Sequence, residues 1–151
     1  MFEFSVRPGL IRDAPRLDGL LHEWLNWDPG HGRIRSIRRA IQNKEFIIAE
    51  SRSRIIGFIH FVVHEDVIDG APNAFITAFY VQKRFRGRGI GTELLRKAIG
   101  TSVAHGVTFI ETSTLHADAK AFYEGWGFKQ TIGEIGEVFL EMDVSRFLKM
   151  Q

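Results

Sequence analysis

At 151 residues, 44% hydrophobic and 25% charged, the chain has the length and apolar content of one folded domain with a sizeable core. It has no cysteine, which excludes disulfides and thiolate-bound zinc or iron–sulfur chemistry, and its net charge of +2 is too small to imply a nucleic-acid partner. No apolar run approaches the roughly 18 residues of a membrane span, and the start lacks a basic head with an apolar core, so the expectation is a cytoplasmic protein with no membrane partner.

Phe2, Phe4 and Val6 alternate with polar residues as in a half-buried strand, closed by Pro8-Gly9. Asp13-Ala14-Pro15 reads as a helix start, with Asp13 as cap and Pro15 in the first turn. Leu17, Leu20, Leu21, Trp24 and Leu25 then follow at helical spacing. Asp28 to Gly32 is a loop. A second helix runs from about Arg33 to Gln42, with Ile34, Ile37 and Ile41 inward and Arg35, Arg38 and Arg39 outward.

Phe46 to Glu50 and Arg54 to His64 form a hairpin across Ser51-Arg52-Ser53, followed by an acidic, turn-rich loop from Glu65 to Pro72. A further strand covers Asn73 to Val81. After it come a glycine-rich loop and a helix from Ile90 to Val103, with Gly106 as its stop. Val107 to Thr112 is a short strand and His116 to Trp126 a helix. Phe128 to Ile132 and Glu137 to Met142 make a closing strand pair. No repeat, low-complexity tract or linker interrupts this order, so residues 1–151 read as a single mixed α/β domain with a mixed sheet.

The loop Arg86-Gly87-Arg88-Gly89-Ile90-Gly91-Thr92 is the most informative stretch. Alternating glycines free the backbone to turn several N–H groups towards one point, and the helix behind them adds unpaired N–H groups and a positive dipole end. Arg84, Arg86 and Arg88 add mobile positive charge. Such a seat suits a phosphate or pyrophosphate. No lysine follows Gly91 as a Walker A loop requires, and the sixth position from Gly87 is Thr92, so the dinucleotide fingerprint fails too. The alternatives are a plain connecting turn and a basic nucleic-acid patch.

The pattern Arg86-x-x-Gly89-x-Gly91 resembles the acyl-CoA pyrophosphate motif of the GNAT superfamily of N-acetyltransferases. Ala119-x-x-Phe122-Tyr123-Glu124-x-x-Gly127-Phe128 is similar to the ending those enzymes carry on their last helix and the next strand. The resemblance implies a mostly antiparallel sheet of about seven strands with about four helices, splayed between the fourth and fifth strands. It implies acetyl-CoA as co-substrate, with pantetheine against the backbone of Phe79, Tyr80 and Val81. The N–H groups of Arg86, Gly87, Arg88, Gly89, Ile90, Gly91 and Thr92 would hold the pyrophosphate, and a backbone N–H near Phe79 would polarise the thioester carbonyl. His116, Ala119 and Phe122 would complete the coenzyme side; His116 stands where the family often has asparagine.

By the same resemblance, Tyr123 is the acid that protonates the departing thiolate; the alternative is a tyrosine packed with Phe122 and Trp126. The base is less determined. The strand Asn73 to Val81 lacks the glutamate many members use, leaving His60, His64 and Glu111, or Glu65 and Asp66 through water. The plain alternative for each histidine is a role within the sheet. Glu23, Asp28, Glu65, Asp66 and Asp69 fall on the acceptor side and would favour a cationic amine, with Trp24 and Trp27 as candidate walls. The implied activity is direct acetyl transfer to a primary amine of a small molecule or peptide, with no metal. A homodimer is implied by family habit alone. The rival is a non-catalytic acyl-CoA-binding sensor or scaffold.

Overall fold

A computed structural model of the chain describes residues 2–27, 32–114, 117–131 and 138–144. In chain order its elements are β1 (Ser5–Pro8), a 3-10 turn (Ile11–Asp13), α1 (Ala14–Leu25), α2 (Gly32–Gln42), β2 (Phe46–Ser51), β3 (Arg54–Glu65) and β4 (Pro72–Val81). A second 3-10 turn (Lys83–Phe85) leads to α3 (Ile90–Ala104), β5 (Phe109–Thr114), α4 (Ala117–Trp126), β6 (Lys129–Gln130) and β7 (Val138–Asp143). The strand order is β1-β2-β3-β4-β5-β7-β6, with β4 and β5 parallel. Among the described residues this is the mixed, mostly antiparallel seven-stranded sheet with four α-helices that the resemblance implied. The chain forms two compact units, Met1–His60 with Ala78–Ala98, and Phe61–Thr77 with Ile99–Gln151.

In the first unit β1 pairs antiparallel with β2 from Ser5↔Glu50 to Pro8↔Ile47, and β2 with β3 from Phe46↔His60 to Ser51↔Arg54. The β2–β3 turn puts Arg52 and Ser53 at φ 51° and 63°, the left-handed pair whose twist matches a two-residue hairpin. Leu17, Leu20 and Leu21 of α1 and Ile37, Ala40 and Ile41 of α2 bury with Phe46, Ile48, Phe58 and Tyr80. Phe58 is the hub of the rings, with Phe46 at 5.9 Å, Tyr80 at 6.3 Å and Trp24 at 6.5 Å between centroids. Each such buried side chain contributes about 1.5–3 kcal/mol. A Cβ on Gly57 of β3 would lie 2.9 Å from the Tyr80 carbonyl oxygen, so glycine there admits the last residues of β4.

Asp13 stands at the cap position of α1, but its side chain does not cap the helix. It takes two hydrogen bonds from Arg7, at 2.8 and 3.1 Å, and one from the Leu10 N–H at 2.7 Å. The Arg7 Nε reaches Glu50 at 3.1 Å, tying β1, β2 and the start of α1 together. Burial alone would raise the Asp13 pKa; the hydrogen bonds from Arg7 and Leu10 and the Arg7 charge outweigh it and hold the carboxyl below its usual value.

In the second unit β4 pairs with β5 from Asn73↔Phe109 to Ile76↔Thr112. β5 pairs antiparallel with β7 from Phe109↔Asp143 to Thr114↔Val138, and β7 with β6 through Lys129↔Glu141 and Gln130↔Leu140. Two boundaries differ from the sequence reading for one reason. Gly106 (φ 82°) ends α3 by letting the Val107 N–H reach back to Ser102 O, so Val107 belongs to the helix stop and β5 begins at Phe109. Gly127 (φ 107°) does the same for α4, with the Phe128 N–H on Tyr123 O, and β6 starts at Lys129. Phe2 and Phe4 lie outside β1, their rings 6.1 Å apart.

Candidate functional site

The glycine loop grows directly out of β4. The Gln82 N–H donates to Ile56 O at 2.9 Å, fastening the strand end to β3. The turn over Lys83–Phe85 then closes with the Phe85 N–H on Gln82 O, also at 2.9 Å. Gly87 and Gly89 adopt φ 77° and 84°, the left-handed region that favours glycine. A Cβ at either would meet no protein atom within 4 Å, so the space over the loop is open. α3 begins at Ile90. Among the described residues, the N–H groups from Gly87 to Thr92 have no acceptor, whereas that of Arg86, expected among them, closes the preceding turn on Lys83 O at 3.3 Å. Several unengaged donors at a helix start are what an anion needs.

Each of the three arginines of this stretch lies over an aromatic ring. The guanidinium carbon of Arg84 lies 4.8 Å from the Phe85 centroid, Arg86 5.6 Å from Tyr80 and Arg88 4.5 Å from Phe2. Arg86 also donates from Nε to Val81 O at 2.9 Å. None of the three is in an ion pair among the described residues. An aromatic face orders a guanidinium without neutralising it.

Phe79 and Val81 are half-buried on β4 beside the loop. Tyr80 between them points its side chain into the core, its ring stacked 6.2 Å from Trp24. Burial, then the charge of Glu23, raises the Tyr80 pKa above its ordinary value. Glu23 accepts from Gln82 Nε2 at 3.2 Å and is exposed, while Trp27 is 61% exposed. His60 places Nε2 2.8 Å from Glu45 Oε1, with its ring 4.7 Å from Phe46.

Tyr123 lies in the second unit on α4, only 5% exposed, its ring 5.1 Å from Phe128 and 5.8 Å from Phe122. Its hydroxyl is hydrogen-bonded to Thr112. The Thr112 hydroxyl also donates to Ile76 O at 3.2 Å. Burial pushes the Tyr123 pKa up to about 12, against the smaller opposing effect of Thr112. Glu111, next to Thr112, is half-buried and faces Phe75 of β4 and Glu141 of β7 in register. Ala119 and Phe122 are half-buried on α4 and His64 is exposed on β3. Asp66 and Asp69 turn their carboxylates inward on their own loop, accepting the Ile68 and Ala71 N–H groups at 2.7 and 2.8 Å. His116 and Asp28 lie outside the described residues. Among the described residues no three acidic or histidine side chains are grouped to hold a metal, and no helix is long and apolar enough to cross a membrane.

The rings of Phe2 and Phe85 under Arg88 and Arg84, and the ring of Tyr80 under Arg86, are partnerships that the sequence reading did not include. Phe85 carried a local signal, sitting between two arginines. Phe2 is remote in sequence and carried none.

The chain belongs to the acetyltransferase (GNAT) family, whose profile matches residues 13–128. It is 34% identical over 71 residues to the "tRNA-acetylating toxin" of Mycobacterium tuberculosis (strain ATCC 25618 / H37Rv), a match over 44% of this chain. The chain thus spans less than half of that relative, 43% of its length. Its fold is similar to the crystal structure of PaiA N-acetyltransferase from Thermoplasma acidophilum in complex with coenzyme A (TM-score 0.77, 19% identity, 93% of this chain and 99% of that one). It is also similar to Arabidopsis thaliana Naa50 in complex with the bisubstrate analogue CoA-Ac-MVNAL (TM-score 0.74, 20% identity, 93% and 98% covered).

Proposed function

We propose that the protein is an acetyl-CoA-dependent N-acetyltransferase that passes the acetyl group directly to a primary amine of a small molecule or peptide. One observation carries the reading: the N–H groups from Gly87 to Thr92 have no acceptor among the described residues, and open space lies over Gly87 and Gly89. A pyrophosphate satisfies such donors, and family membership makes that of CoA the fitting one.

In this reading the backbone of Phe79 and Val81 aligns the pantetheine arm, and an N–H near Phe79 stabilises the developing oxyanion. The amine nitrogen attacks the thioester carbonyl carbon, the C–S bond breaks, and the sulfur takes the Tyr123 hydroxyl proton. With its pKa raised to about 12, Tyr123 stays a neutral donor throughout the neutral range. The amine must shed a proton. The candidates for that step are Glu111, half-buried on β5, and His60, whose Nε2 meets Glu45. Without a cysteine, transfer through a cysteinyl thioester is not open to the chain.

The test is release of free CoA thiol from acetyl-CoA on adding each member of a primary-amine panel. Turnover with one amine supports transfer. Tight acetyl-CoA binding with no turnover across the panel would favour the sensor or scaffold reading. A second acceptor class, tRNA, is favoured by the relative named a tRNA-acetylating toxin. tRNA therefore joins the panel.

A further inference from the structure

Arg88 sits between Gly87 and Gly89, where the chain has its least restricted backbone, and it is exposed. An arginine so placed would ordinarily range widely, and ordering it on binding would cost affinity. Here its guanidinium carbon lies 4.5 Å from the ring centroid of Phe2. That ring is braced by Phe4 at 6.1 Å and Phe85 at 5.6 Å, and Phe85 carries Arg84 at 4.8 Å. Neither arginine has an acidic partner among the described residues. The cation is thereby held at the loop with its charge intact and its N–H groups open to a phosphate. The β-strand that the alternation of Phe2 and Phe4 predicted does not include them, and these rings brace the loop instead.

We infer that Phe2 is a positioning residue for coenzyme binding. It fixes Arg88 beside the unengaged N–H groups of Gly87 to Thr92, so that a planar, charged donor edge meets the phosphates of the CoA nucleotide. The inference rests on the acyl-CoA reading above. It adds that the stretch before β1 is part of the phosphate seat.

The experiment is calorimetric titration of the full chain with acetyl-CoA and with S-acetylpantetheine, which has the thioester but no phosphate. Phe2→Ala should weaken acetyl-CoA binding about three- to ten-fold, the range of one stacked cation. It should leave the weaker S-acetylpantetheine affinity unchanged. Phe2→Tyr should restore acetyl-CoA affinity, and Phe2→Leu, which keeps apolar bulk without a π face, should not. Added to Arg88→Ala, Phe2→Ala should cause no further loss. Wild-type affinity in Phe2→Ala, full rescue by Phe2→Leu, or equal loss for both ligands would overturn the inference while leaving the acyl-CoA reading intact. Absence of acetyl-CoA binding by the wild-type chain would overturn both.

Discussion

Tyr123 shows how burial and one hydrogen bond set a residue's chemistry. At 5% exposure its phenol is costly to ionise, and the hydrogen bond with Thr112 offsets that cost only in part. Tyr123→Phe should lower kcat about 100-fold or more while changing acetyl-CoA affinity less than about two-fold. Comparable losses in kcat and affinity would instead assign the residue to packing. The pH–rate profile should show no alkaline loss from Tyr123 until the pH nears 12, because its raised pKa keeps it protonated below that. Asp13 is the contrasting case, a buried carboxylate whose work is structural. Its folded pKa lies below the ordinary 3.8, so its contribution is fully present above that value and is lost as pH falls through the lower, folded one. Asp13→Ala should cost about 2 kcal/mol at pH 7, leaving Arg7 half paired, and should flatten the acid limb of stability below about pH 4. Thermal unfolding from pH 3 to pH 7 reads both.

At the level of elements, the proposed function falls on the strand–glycine loop–helix junction, and two kinds of glycine build it. Gly87 and Gly89 supply left-handed backbone in open space, whereas Gly57 admits the end of β4 by lacking a Cβ. Gly89→Glu should abolish acetyl-CoA binding by strained backbone and a carboxylate in an anion's seat, since no protein atom crowds the position. Gly57→Ala should destabilise the fold by about 1–3 kcal/mol, read by denaturant unfolding, as the carbonyl of Tyr80 must move away. The loop was legible in the sequence because its chemistry is contiguous: glycines, arginines and a helix start lie within a few residues. The helix stops at Gly106 and Gly127 were legible only in part. Alternation assigned Val107 and Phe128 to strands, but backbone bonds to Ser102 and Tyr123 claimed them for the preceding helices.

For the molecule as a whole, the sheet of seven strands with one parallel pair, and the family it belongs to, could be read from two short motifs. The side-chain partnerships could not, because they join residues far apart in sequence. Arg88 with Phe2, His60 with Glu45 and Thr112 with Ile76 are set by tertiary packing. In the proposed function, the donors from Gly87 to Thr92 seat the pyrophosphate of acetyl-CoA. Calorimetric titration with acetyl-CoA, with ATP and NAD as controls, tests it most directly. Selective binding at micromolar concentration is expected, lost in Gly89→Glu while the variant stays folded. Equal affinity for all three ligands, or none for acetyl-CoA in a folded protein, would contradict it.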